Sequence, residues 1–226
     1  MRGMFSGFSA HAFAWFAGLE RDNSKAYFTA SREVYETQVR EPLEELLEEL
    51  AAEFGGVVKM FRQNRDVRFS PDKSPYKTTT YGILYEVTVP GDGLYAQLSA
   101  RGLYAGTGYY RMARDQLERY REAVAGNAGA GLEEATAAAE AAGLELAGDS
   151  VKTAPRGYPR DHARIKLLRR KELIAGRAAP GNGGLDRDAA LAHVTGTWRA
   201  AEPINAWLDA QVGPSRLPRE ERWGRR

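Results

Sequence analysis

The apolar pattern changes period at Gly55-Gly56, and no other feature constrains the fold of this 226-residue chain as strongly. Before the pair, Tyr35, Val39, Leu43 and Leu46 recur at i, i+4, i+8 and i+11, and Leu47, Leu50 and Phe54 continue the stripe. That is the spacing of a helix with one buried face. Pro42 lies inside it, removes an N–H and crowds the carbonyl of Gln38, so a kink or a restart is expected there. After the pair the pattern is that of strands. Val57 to Phe61 reads as one, and Tyr81 to Val89 alternates and ends at Pro90-Gly91-Asp92-Gly93. Leu94 to Ser99 and Leu103 to Gly106 flank Ala100-Arg101-Gly102 as a hairpin. The expectation is an α+β fold: a single domain over residues 1–212 with a mainly antiparallel sheet of about four to six strands packed against several helices.

The remaining elements follow from caps and breakers. Ser9 opens a helix to about Glu20, and Asn23 or Ser24 caps the next. Residues 112–125 and an Ala-rich, peripheral 132–142 read as helices, and 144–151 as a short strand. The prolines of Pro155-Arg156-Gly157-Tyr158-Pro159 forbid a regular helix. Residues 160–173 read as a basic helix, 175–184 as a Gly/Ala-rich loop, and 185–212 as a helix or helix pair interrupted near Pro203. From Gly213 to Arg226 a flexible basic tail is expected. Bringing the early and late helices together would set the Pro155 turn near the segment described next.

That segment, Asn64-Arg65-Asp66-Val67-Arg68-Phe69-Ser70-Pro71-Asp72-Lys73-Ser74-Pro75-Tyr76-Lys77-Thr78, is dictated neither by periodicity nor by turn chemistry alone. Val67 and Phe69 fall on one side of an extended chain, which predicts a short half-buried strand. Ser70-Pro71-Asp72 then predicts a turn. From Lys59 to Lys77 there are six cations and two acids. Arg forks and Lys ammoniums beside hydroxyls suit phosphate, sulfate or carboxylate. The same residues fit a solvated basic loop whose Arg65–Asp66 and Asp72–Lys73 neighbours balance charge.

Charge elsewhere is uneven although the net value is only +2. Glu41 to Glu53 holds six acids and no base, the pattern of a solvated helical face, with a carboxylate metal cluster as the alternative. Lys152 to Lys171 holds eight bases and one acid. The absence of cysteine excludes disulfides, thiolate zinc sites and cysteine nucleophiles. No apolar run approaches the ~20 residues of a membrane span, and the N-terminus lacks the order of a signal peptide, so a cytoplasmic protein is expected.

Several pieces together resemble the domain of unknown function 2461 family, an uncharacterised and mainly bacterial group. They are the central segment itself, Phe5-Ser6-Gly7-Phe8-Ser9, Asn23-Ser24-Lys25-Ala26-Tyr27-Phe28 with Arg32, and Glu41-Pro42-Leu43. Gly106-Thr107-Gly108-Tyr109-Tyr110 and Pro155-Arg156-Gly157-Tyr158-Pro159 with Asp161-His162 complete the set. The resemblance runs from about residue 4 to about 212. It implies a single α+β domain and brings no established activity, cofactor or catalytic residue.

Among the three histidines, His162 beside Asp161 is the candidate general base. No metal-ligand spacing, P-loop or nucleophile elbow occurs, so neither a metal nor another cofactor is expected. Three functions remain open. In the first, a small anionic ligand, phosphorylated or carboxylated, is bound, with or without being transformed. Its charge would be met by Arg65, Arg68, Lys73, Lys77 and Arg156, beneath a roof of Phe69, Tyr76, Tyr109 and Tyr110. In the second, residues 152–171 track nucleic-acid phosphates while tyrosines stack bases. In the third, the domain is structural or binds a protein partner without chemistry.

Overall fold

The computed structural model describes residues 4–89, 91, 93–181, 183–218 and 222. In chain order they form β1 (Gly7–Phe8), α1 (Ala10–Arg21), α2 (Lys25–Ala30), α3 (Arg32–Val34), a π-helical segment (Tyr35–Arg40), α4 (Glu41–Phe54) and β2 (Gly55–Met60). There follow β3 (Thr79–Val87), β4 (Leu94–Ser99), β5 (Gly102–Tyr109), α5 (Arg114–Ala125) and α6 (Gly129–Ala141). The chain continues with β6 (Glu145–Ala147), α7 (Ile165–Leu168), β7 (Leu173–Pro180), β8 (Leu185–Asp186) and α8 (Arg187–Gln211). The fold is α+β. Its main sheet has six strands in the order β2-β3-β4-β5-β7-β6, and β1 pairs with β8 in a two-stranded sheet. The chain divides into two compact units, Met1–Thr88 with Gly93–Ala105 and Ala178–Thr197, and Val89–Asp92 with Gly106–Arg177 and Trp198–Arg226.

In the first unit α4 packs on β2, β3 and β4. Its predicted stripe is the buried face: Leu43, Leu46, Leu47, Leu50 and Phe54 are all inside. They meet Leu84, Leu94, Ala96 and Leu98 on the inner side of the strands. Gly82 makes this packing possible, because a Cβ there would lie 2.6 Å from both Leu47 Cδ1 and Met60 Sδ. Gly55, at φ 70°, turns the chain from helix to strand. Pro42 shifts the hydrogen-bond register instead of ending the helix. It cannot donate to the Gln38 carbonyl, and the Glu41 N–H bonds Glu36 O five residues back, so the turn before the proline is π-helical.

In the second unit Tyr120, Val124, Leu132, Ala139, Leu168, Leu173, Ile204 and Leu208 belong to one core. Helix α6, expected to be peripheral, contributes Leu132, Ala135 and Ala139 to it. Four further expectations change here or beside this unit. Residues 160–173 are not a basic helix; only Ile165–Leu168 is helical, and Leu173 already starts β7. The predicted Gly/Ala-rich loop 175–184 is largely β7, a strand between two neighbours where small side chains fit. The last helix runs unbroken through Pro203. Of the segment expected to be a flexible tail, 219–221 and 223–226 lie outside the described residues, and its start is bonded to α5. Ser215 Oγ and the Arg216 N–H both donate to the Asp115 carboxylate, at 2.7 and 2.8 Å, and Arg119 donates to Val212 O and Pro214 O. Burial raises the pKa of Asp115, but these bonds and Arg119 outweigh it and hold the carboxyl below its ordinary range.

Candidate ligand-binding face

The segment 61–78 joins β2 to β3 as an irregular loop, not as the predicted half-buried strand. Its base is a short ladder: Arg65 N–H donates to Pro75 O at 2.8 Å, Lys77 N–H to Gln63 O at 2.9 Å, and Asn64 bridges Tyr76. Tyr76 is buried and stacks on Phe28 at 4.2 Å. The Asn23 side chain clamps its backbone, accepting from Tyr76 N and donating to Tyr76 O. The turn closes on Val67 to Ser70, three residues earlier than the Pro71 turn expected from sequence. It leaves Phe69 at 92% exposure and Val67 only half-buried, so the two do not form the inner side of a strand.

Arg65, Arg68, Lys73 and Lys77 each bond within this loop. Arg68 grips Asp66 through Nε and Nη2 at 3.0 and 2.7 Å, and these bonds pull the Asp66 carboxyl down to about 2. Arg65 pairs with Asp72, whose carboxylate also accepts the Ser74 N–H at 2.9 Å and is held below the ordinary range. Lys73 Nζ donates to Val67 O at 3.0 Å. Lys77 Nζ donates to Arg62 O and stands 4.7 Å from the centre of the Tyr81 ring.

The other expected residues fall in the second unit. Tyr109 is buried and donates to Asp209 Oδ1 at 2.7 Å. Tyr110 is 62% exposed, with the Arg111 guanidinium 5.5 Å from its ring. Arg156 is exposed on its turn. His162 Nδ1 accepts the Arg164 N–H at 3.0 Å, and Asp161 is exposed beside it. Arg65, Arg68, Lys73, Tyr76 and Lys77 thus lie in one unit and Tyr109, Tyr110 and Arg156 in the other.

The outward face of β2, β3, β4 and the start of β5 was not singled out by sequence. Register explains its content. Val57 pairs with Tyr85, Lys59 with Ile83, Ile83 with Tyr95 and Tyr81 with Gln97, so all of these side chains point away from α4. Tyrosine therefore occupies the side of the sheet where polar residues are the rule for an antiparallel sheet with one covered face. The result is a continuous row of rings. Phe61 stacks on Tyr81 at 4.7 Å, Tyr81 neighbours Tyr95 at 5.4 Å, and Tyr95 meets Tyr104 edge-on at 6.1 Å. Each ring is half-buried by its neighbours. Lys59 Nζ lies 5.3 Å from the centre of Phe61, so two ammoniums sit over one end of the row. Tyr95 Oη donates to Gln97 Oε1. The signal was present in the sequence as tyrosines in matching phase on successive strands.

A separate polar cleft of about 530 Å³ is lined by Ser6, Ser9, Thr37, Gln38, Asp186 and the backbone of Gly183-Gly184. No Lys or Arg is among its lining residues, and Asp186 adds negative charge, so it does not suit an anion. Among the described residues no cluster of three or more His, Asp or Glu could hold a metal ion, and no helix is long and apolar enough to cross a membrane.

The sequence matches the domain of unknown function 2461 family, described as a conserved hypothetical protein, over residues 11–207, and the chain belongs to that family. No curated protein matches it.

Proposed function

We propose that this member of the domain of unknown function 2461 family binds planar anionic ligands of the nucleotide class on the outward face of β2–β5. The supporting observation is the row of four rings with Lys59 and Lys77 over its Phe61–Tyr81 end. A base stacked on such a ring gains about 1–3 kcal/mol. The ammonium of Lys77 is fixed by one bond to Arg62 O and keeps two further N–H donors for a phosphate. Arg68, 77% exposed, is held only by a surface ion pair, and such pairs are worth about 0–1 kcal/mol, so a phosphate can compete for it.

This relocates the anion receptor from a convergence of Arg/Lys and Tyr to a sheet face. It is a binding reading, because the row supplies rings, ammoniums and a carboxamide. We also propose a cytoplasmic setting and a bacterial source, readings that rest on the cysteine-free sequence and on the family resemblance alone.

The test is thermal stabilisation and calorimetric titration with AMP and dTMP against inorganic phosphate and sulfate. Both nucleotides should raise the melting temperature in a concentration-dependent way, and the inorganic anions should do so far less. Tyr81→Ala and Lys77→Gln should each weaken nucleotide binding. Equal effects of AMP and phosphate, or no effect of either, would overturn the reading.

A further inference from the structure

We infer that the ligand of this face is a single strand of nucleic acid lying across the strands, with its bases along the row of rings. The inference rests on the reading just given and extends it from a mononucleotide to a polymer. The rings stand on or beside four successive strands, which are spaced by ~4.8 Å, so the row is ~14 Å long. A single base reaches one or two of these rings. A run of unstacked bases at strand spacing covers them all, the arrangement by which open sheet faces hold single strands.

Charge sets where the strand enters. The ammoniums crowd the Phe61–Tyr81 end, from which the loop 61–78 departs and to which it returns. At Tyr95 and Tyr104 the partner is Gln97, whose Oε1 is taken by Tyr95 Oη, so its NH2 is offered beside the rings as a donor to a base edge. Phosphate contact therefore belongs to one end of the row and stacking to its whole length. A duplex keeps its bases paired and stacked inside and cannot present them to a sheet.

The experiment is fluorescence anisotropy of the full chain with labelled mono-, di-, tetra- and octathymidylate and with a duplex, at low and moderate salt. Affinity should rise by about tenfold for each base from one to four, then level off. Binding of the tetramer should weaken as salt increases. Tyr95→Ala and Tyr104→Ala should each lower tetramer affinity about tenfold, with circular dichroism and the melting temperature of the free variants showing that they are folded. A flat length series with dTMP still bound overturns this inference and leaves the mononucleotide reading standing. Loss of dTMP binding by the wild type removes both, and a duplex bound more tightly than the single strand overturns the polymer assignment alone.

Discussion

The chain has two strongly basic segments, and their arginines are held in different ways. In 152–171 three arginines close the backbone. Arg164 donates to Val124 O and Gly126 O at the end of α5 and to Glu133 at 2.6 Å, Arg169 donates to Val151 O, and Arg170 to Ala147 O. Arginine suits this task because its planar fork satisfies several carbonyls at once. In 61–78 the lysines Lys73 and Lys77 donate to the main chain, but the arginines pair with carboxylates of the same loop, Arg65 with Asp72 and Arg68 with Asp66. Local composition is alike in the two segments. What differs is whether a guanidinium replaces a missing backbone donor, which fixes it, or leans on an exposed carboxylate, which leaves it exchangeable.

Arg164→Ala should break this comparison if it is wrong. Arg164 is only 21% exposed, and its removal should cost about 2–3 kcal/mol in urea unfolding, because helix-terminal carbonyls lose a charged donor. Arg68→Ala should leave the urea midpoint nearly unchanged. Equal losses for the two would show that both segments are structural. Next in size is Asn23→Ala, which strips the clamp from Tyr76 N and O and should cost about 1–2 kcal/mol, again by urea unfolding. Nucleotide affinity should respond more modestly to Lys77→Gln, falling by about 1 kcal/mol in calorimetry with the melting temperature of the free protein nearly unchanged.

The smallest expected effect is on pH. The folded pKa of Asp66 is lowered from 3.8 to about 2 by its bonds from Arg68. A lowered carboxyl contributes stabilisation that is complete above the unfolded value and is lost as pH falls through the folded one. The loop should keep its form from neutral pH to near 4 and loosen only between there and about 2. A carbon-detected NMR titration of the Asp66 carboxyl should have its midpoint near 2; a midpoint near 4 would mean the Arg68 pair does not persist in solution.

Much of the first unit was legible in sequence because its signals agree with one another. The apolar stripe of α4, the Gly55-Gly56 break and the hairpin after Pro90 each point to the same architecture, and the helix and strands bury the expected side chains. Legibility failed where side chains bond to the main chain. Val67 and Phe69 alternate like a strand, yet Asp66, Asp72 and Lys73 bond within the loop and bend the chain into a turn. Residues 160–173 show helical spacing, but Arg169 and Lys171 are tied to 149–151 and the segment becomes turns. Strand β7 is rich in Ala and Gly, which local preference assigns to a loop; its place between β5 and β6 decides otherwise. The ring row needed register. Tyr81, Tyr95 and Tyr104 become neighbours only once the strands are aligned, and a slip of one residue would send each to the other face.

The most direct test of the central claim is ring-selective NMR of the tyrosines during titration with dTMP. The account predicts that Tyr81 shifts first, that Tyr95 and Tyr104 join it when tetrathymidylate replaces the mononucleotide, and that Tyr110 and Tyr158 stay still. Shifts confined to Tyr110 and Tyr158 would contradict the account and return the receptor to the other basic region.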